Sequence, residues 1–394
     1  MSAHAEVALA EVLADATPGF ACGEDVEDGV FQFRMNNVTI EGQLDLTKRR
    51  RVPKDYRNID RFLLRPGDVL FNATNSPDLV GKAAFFPGLE EPAVFSNHFL
   101  RLRPRDGEID GRYLTRWLNL QFLHGRFRGM CRQWVNQATV SRDALLSLKI
   151  PLPPLPEQKR IAEILDQADA LRAKRHAALK KLDELTQSIF LDMFGDPATN
   201  PKGWPVRRLG EVSEFFAGST LPRGEPYRGQ VDGYFLLKVS DMNLPGNDVY
   251  LKVSQEWSDA PGAASCTCPE GSIVIPKRGG AIGTNKKRIT TRPSVLDPNL
   301  MAIVPQRRQV ELQFLYAWLL HVDLASITSG SSVPQLNKRD LDPLSIAVPP
   351  VDLQKEFTRR VAGVEKIVQR QRAAASRVEA LFSSLQHRAF QGKL

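Results

Sequence analysis

The chain has 394 residues, a formal net charge of +8, 42% hydrophobic residues and four cysteines, Cys22, Cys131, Cys266 and Cys268. This length exceeds one ordinary core and this apolar content excludes a disordered chain, so at least two globular domains are expected. No apolar run is long enough to span a bilayer, the N-terminus lacks the basic-then-apolar layout of a secretion signal, and the cysteines fit no disulfide framework, all of which points to a reducing cytoplasm.

Residues 1–153 read as mixed α and β, with short strands expected over 30–35, 69–72, 95–102 and 148–152. A helix is expected over 112–126, with Tyr113, Trp117, Leu120 and Leu123 along one side. The proline-rich segment 151–156 then opens a long helix within 154–195, closed by Gly195-Asp196-Pro197. Proline suits a first helical turn, where its missing N–H has no partner in any case. Residues 196–350 repeat the plan, with strands expected over 234–239, 272–276, 300–304 and 344–348 and a helix over 312–322. Pro349-Pro350 leads into a second long helix within 351–394, with Asp352 as the expected N-cap. Each long helix, at about 39 residues, spans about 58 Å.

The repetition is internal duplication. Pro153-Pro154 and Pro349-Pro350 align at a shift of 196 residues, which also places Gln158 on Gln354, Lys159 on Lys355 and Ile161 on Phe357. Upstream, Leu9 matches Leu209, Gly29 matches Gly233, Gly42 matches Gly246 and Gly67 matches Gly271, so the shift drifts between 196 and 204 as loops change length. A long repeat fixes the architecture before any single motif does. The globular segments 1–153 and 196–351 carry net charges of only +1 and +2, whereas 352–394 carries +5. A surface for an anionic partner must therefore come from local clusters.

Both long helices carry heptad rows. In the first, one row is Ile161, Ala168, Arg175, Leu182 and Ile189, and the row three residues on is Ile164, Leu171, Ala178 and Leu185. In the second, the rows are Phe357, Val364, Gln371, Val378, Leu385 and Ile367, Ala374, Leu381. Helices this long outreach a domain of about 150 residues, so packing of helix on helix is expected. Arg175 and Gln371 sit at the central layers and are expected to face each other if the helices run antiparallel; snorkelling of each to water is the alternative.

The segment Ile150-Pro151-Leu152-Pro153-Pro154-Leu155-Pro156-Glu157-Gln158-Lys159-Arg160-Ile161-Ala162 resembles the opening of the central conserved region of Type I restriction-modification specificity subunits. Ile189 to Pro197 followed by Gly203-Trp204-Pro205 resembles that region's exit into the second target recognition domain, and Ser331 to Leu336 before the second hinge and Phe390-Gln391-Gly392-Lys393-Leu394 at the end also resemble the family. The first half lacks a clear counterpart of Gly203-Trp204-Pro205. The resemblance implies an α+β architecture: two pseudo-repeated target recognition domains (1–153 and 196–350), separated by two long antiparallel helices (154–195 and 351–394) forming a coiled coil. It implies that each domain reads half of a bipartite, asymmetric double-stranded DNA target and that helix length sets the gap. It implies docking of two modification (methyltransferase) subunits and, through them, restriction subunits. It implies that adenine methylation and ATP-dependent cleavage belong to those partners and that the chain itself is non-catalytic, without cofactor or metal.

The residues offer matching candidates for DNA contact. Segment 277–292 holds Lys277, Arg278, Lys286, Lys287, Arg288 and Arg292 without an acidic residue, and its glycines allow close approach to phosphate. Thr284 and Asn285 sit among them. The first-half equivalent, with Asn72, Thr74, Asn75 and Lys82, is polar and suits base edges. A second loop precedes each hinge. It holds Arg132, Gln133, Asn136, Gln137, Thr139, Ser141 and Arg142 in the first half, and Ser331, Ser332, Gln335, Asn337 and Lys338 in the second. The run Lys48-Arg49-Arg50-Arg51 and the aligned pair His98 and Asn299 are further candidates.

Other functions fit less well. The chain lacks a glycine-rich cofactor loop after its first strand, an Asn-Pro-Pro-aromatic motif and a Walker sequence, and Cys266-Thr267-Cys268 has no second ligand pair nearby. A coiled-coil scaffold explains the helices but leaves the paired polar loops without a role.

Overall fold

The computed structural model describes residues 4–56, 58–134, 137–328 and 334–394. It divides into two compact units, Met1–His176 with Ala373–Leu394, and Ala177–Arg372. Each unit contains one mixed α/β domain and part of both long helices, Leu155–Phe194 and Val351–Ala389.

In the first unit a sheet runs in the order Leu13–Pro18, Phe99–Pro104, Val69–Asn72, Ala83–Phe85. The second unit repeats this order with Ser213–Ala217, Leu300–Pro305, Ile273–Pro276 and Arg288–Thr290. A second sheet in each unit holds a parallel pair, Val30–Phe33 with Ala93–Phe95 and Tyr234–Leu237 with Ser294–Leu296. The strands Val69–Asn72 and Ile273–Pro276 are buried along their whole length, and their residues are apolar except Asn72. Each follows a turn whose glycine has positive φ, 100° at Gly67 and 77° at Gly271.

The first domain also has the lead-in strand that its sequence obscures. Glu6–Ala8 pairs antiparallel with Lys149–Pro151, as Val206–Arg208 pairs with Ser345–Ala347. The segment expected as one strand over 95–102 is two, Ala93–Phe95 and Phe99–Pro104. The helix expected over 112–126 ends at Leu123, and a short helix, Arg126–Met130, follows. Gly125, with φ 70°, separates them. The second long helix starts at Val351, so Asp352 lies inside its first turn and is not the N-cap; its carboxylate lies 3.6 Å from the Lys355 ammonium.

Within the first unit, Ile161, Ala162 and Leu165 from the start of the first long helix share a core with Phe382 and Ala389 from the end of the second. Arg172 forms ion pairs with Glu379 and Asp169 and lies 4.3 Å over the Phe382 ring. Arg116 of the domain helix pairs with Asp166 and Asp169 at 2.8 and 3.1 Å. Within the second unit, Phe190 and Phe194 from the end of the first helix pack with Phe357 from the start of the second, centroids 5.8 and 5.3 Å apart. There Tyr250 donates to Glu365 at 2.6 Å, tying the second helix to the domain. The two helices are antiparallel in each unit.

The row through Ile161, Ala168, Arg175, Leu182, Phe357, Val364, Gln371, Val378 and Leu385 is buried or half-buried. The neighbouring row needs correction. Ile164 is half-buried, but Leu171, Leu185, Ile367 and Leu381 are 43, 38, 46 and 54% exposed. The inward partners lie four residues on instead of three: Leu165 and Arg172 in the first helix, Val361, Phe382 and Ala389 in the second. Both flanks of the first row are apolar, so periodicity alone does not choose between them.

Candidate nucleic-acid interface

The two candidate loops of each half meet. In the first unit Thr74–Asn75 pairs with Gln137–Thr139, which pairs in turn with Arg132–Trp134. The Val140 N–H donates to Ala73 O at 2.9 Å, and the Thr74 and Thr139 hydroxyls are 3.1 Å apart. In the second unit Arg278 bridges Gln335, and the Leu336 N–H donates to Lys277 O at 2.9 Å. Val140 and Leu336 stand 196 residues apart, so the loop pairing is itself duplicated.

Two more segments join each junction. The Thr74 N–H and the Asn72 amide both donate to His98 O, and the Lys277 N–H donates to Asn299 O at 2.6 Å. A 3-10 turn follows the first strand of each parallel pair, Met35–Asn37 and Val239–Asn243. Asn37 accepts from the Arg34 N–H at 2.8 Å, and Asp241 accepts from the Lys238 N–H at 2.7 Å. Lys82 reaches the first turn, donating to Val38 O at 2.5 Å, and Lys286 reaches Asn243 of the second. Sequence reading missed these turns; the signal was the alignment of Arg34 with Lys238, which held at the same shift as the glycines.

The structure separates supporting residues from presented ones. Asn72 is fully buried, and Asn75 donates to its side-chain oxygen at 2.6 Å. Lys82 is buried on Val38 O, and burial lowers its pKa. Lys287 is 1% exposed and donates to Val322 O and Asn285 Oδ1, both at 2.7 Å; burial pulls its pKa down to about 8. Asn285 has φ 52° and accepts from the Leu324 N–H. Asn72, Asn75, Lys82 and Lys287 are thus buried within the loops they shape, and Asn285 is half-buried with its Oδ1 engaged.

Other candidates are partly engaged. Ser141 caps the helix Arg142–Leu146, and Arg142 donates to Ala16 O. Asn337 precedes the helix Lys338–Leu341 and accepts from Gln335 at 3.0 Å. Arg292 lies 4.4 Å over the Phe235 ring, and Arg288 donates to Lys287 O. In the run 48–51, Arg49 and Arg51 pair with Glu91, and Arg50 donates to Cys22 O and Glu24 O. Lys48 stays exposed. Burial, then Arg34, lowers the pKa of His98.

Gln137, Arg278, Thr284 and Lys338 are exposed, and Thr74, Thr139, Lys277, Lys286 and Gln335 are half-exposed. Arg34, Asn36 and Ser240 of the added turns are exposed as well. Asn136, Ser331 and Ser332 lie outside the described residues, as do the side chains of Arg132 and Gln133. Cys266 and Cys268 are buried thiols, and among the described residues no group of three or more His, Cys, Asp or Glu side chains is placed to hold a metal ion. No helix among these residues is long and apolar enough to cross a membrane.

Known proteins resemble this chain in sequence and fold. The chain is 24% identical over 374 residues to the putative type I restriction enzyme MjaX specificity subunit of Methanocaldococcus jannaschii, covering 90% of this chain and 85% of that one. It is 24% identical to the type I restriction enzyme EcoBI specificity subunit of Escherichia coli, covering 97% and 84%. The solved S subunit of a Type-I restriction-modification system from M. genitalium shares the fold, with TM-score 0.61 at 14% identity over 98% of this chain and 96% of that one. The family model for the Type I restriction modification DNA specificity domain matches residues 35–183 and again 201–374. The chain therefore belongs to that family and is a DNA-recognition subunit of the Type I restriction-modification kind.

Proposed function

We propose that the subunit reads a split, asymmetric double-stranded DNA sequence, with residues 1–153 taking one half-site and residues 196–350 the other. The observation that carries this reading is the duplicated loop junction: the same backbone bonds, Val140 to Ala73 and Leu336 to Lys277, support different side chains. One scaffold bearing two side-chain sets suits two different base sequences. Thr74, Gln137 and Thr139 supply polar groups for base edges in the first half. Lys277, Arg278, Lys286 and Lys338 supply cations for phosphate in the second. Arg34 joins the first set.

The long helices set the gap between half-sites, because Leu155–Phe194 is unbroken. The exposed apolar side chains Leu171, Leu381, Leu185 and Ile367 dock two methyltransferase subunits, and restriction subunits join through these. The repeat supports this too: Leu171 aligns with Ile367 and Leu185 with Leu381 at the shift of 196. Methyl transfer and cleavage belong to the partners, and the chain contributes no chemistry. Mapping methylated sites in cells carrying this chain with its methyltransferase tests the reading. Two short fixed sequences separated by a constant unread gap are expected; a single continuous site defeats it.

A further inference from the structure

Gln158 and Gln354 align at the shift of 196, and both side chains are 0% exposed. A buried amide carries one acceptor oxygen and two N–H donors, and leaving them unpaired is costly. Each is satisfied by the same three backbone groups. Gln158 Oε1 accepts from the Asp110 N–H at 2.9 Å, while Nε2 donates to Glu108 O at 3.0 Å and Pro153 O at 2.8 Å. Gln354 Oε1 accepts from the Glu311 N–H at 2.8 Å, while Nε2 donates to Gln309 O at 3.1 Å and Pro349 O at 2.8 Å.

The groups joined lie on two different elements. Pro153 and Pro349 are the hinges of the long helices. Asp110 and Glu311 are the N-caps of the domain helices Gly111–Leu123 and Leu312–Leu320. Around the N-caps the side chains differ, Glu108-Ile109-Asp110 against Gln309-Val310-Glu311, so the shared geometry follows from the glutamine and the backbone. Apolar packing between the same elements is non-directional and tolerates rotation. Three directed bonds do not. A glutamate would set its charge against two carbonyls, and a methionine would fill the space without any bond.

We propose that Gln158 and Gln354 are positioning residues for DNA recognition: each sets the angle at which a recognition domain stands on its long helix, and so narrows the gap between half-sites that the subunit accepts. This rests on the half-site reading above. The test uses the full chain assembled with its methyltransferase subunits, as wild type, Gln158→Met and Gln354→Met. The duplexes carry both half-sites at the mapped gap, both at one base pair more or less, or one half-site alone. Each variant is expected to lose about tenfold of the wild-type preference for the mapped gap, the scale of a lost buried hydrogen-bond set. Binding to one half-site is expected to stay within about twofold of wild type, well under the tenfold step of one hydrogen-bond set. An unchanged gap preference, or an equal loss on every duplex, overturns the proposal. A wild type indifferent to the gap overturns the half-site reading instead. Hydrogen exchange on the wild-type complex needs no variant: the Asp110 and Glu311 amides are expected to be protected like helix interiors, and exchange at loop rates overturns the assignment.

Discussion

Two adjacent lysines divide sharply in role. Lys286 is half-exposed and reaches the 3-10 turn at Asn243, whereas Lys287 is buried on Val322 O and Asn285. Replacing Arg278 and Lys286 by Ala is expected to weaken DNA binding across all sequences and to lower the dependence of log K on log salt by about one for each phosphate no longer neutralised. Titrations of the assembled complex at several salt concentrations measure this. Lys287→Met is expected to leave the salt slope unchanged and to alter stability in a pH-dependent way. The folded pKa of Lys287 is about 8, below the unfolded value, so between pH 8 and 10 the unfolded chain binds the extra proton. Wild type is therefore expected to gain stability relative to Lys287→Met as pH rises through that window, which denaturant unfolding at stepped pH checks. Spacing along the chain cannot separate these two side chains, because burial depends on the segment just past the helix Leu312–Leu320, where Val322 O accepts from Lys287.

The long helices act as elements with two kinds of apolar row. The row through Ile161 and Phe357 is covered by the domain and by the other helix. The row through Leu171 and Leu381 is open. Leu171→Asp with Leu381→Asp is expected to destabilise the fold by only about 1–2 kcal/mol, from the lower helix propensity of Asp and the half-covered leucine surface. The same pair is expected to weaken capture of the methyltransferase subunit, measured by co-purification or calorimetry. Lengthening is the complementary change. Seven residues inserted after Leu179, matched by seven after Ala375, preserve both heptad rows and add about 10 Å to each helix. The accepted gap is then expected to grow by about three base pairs, read by methylation mapping; an unaltered gap removes the ruler role.

Across the whole molecule, duplication is the organising fact. Replacing residues 1–153 by the matching domain of another specificity subunit is expected to change one half-site and leave the other intact, again read by methylation mapping. The sequence by itself determined the repeat, the long helices, the positions of the main strands and the family, because these follow from periodicity, proline and glycine placement and motifs that are local along the chain. It also located the loops, since alignment of Gly67 with Gly271 and of Gln158 with Gln354 carries the positions between them. Only the tertiary structure decided that the loops of each half join in one junction, that Asn72, Lys82 and Lys287 support it from within, and that Leu165 and Phe382 turn inward while Leu171 and Leu381 turn out. Those outcomes depend on contacts between residues far apart in sequence, where an apolar or charged side chain of one type serves equally well on a covered or an open face.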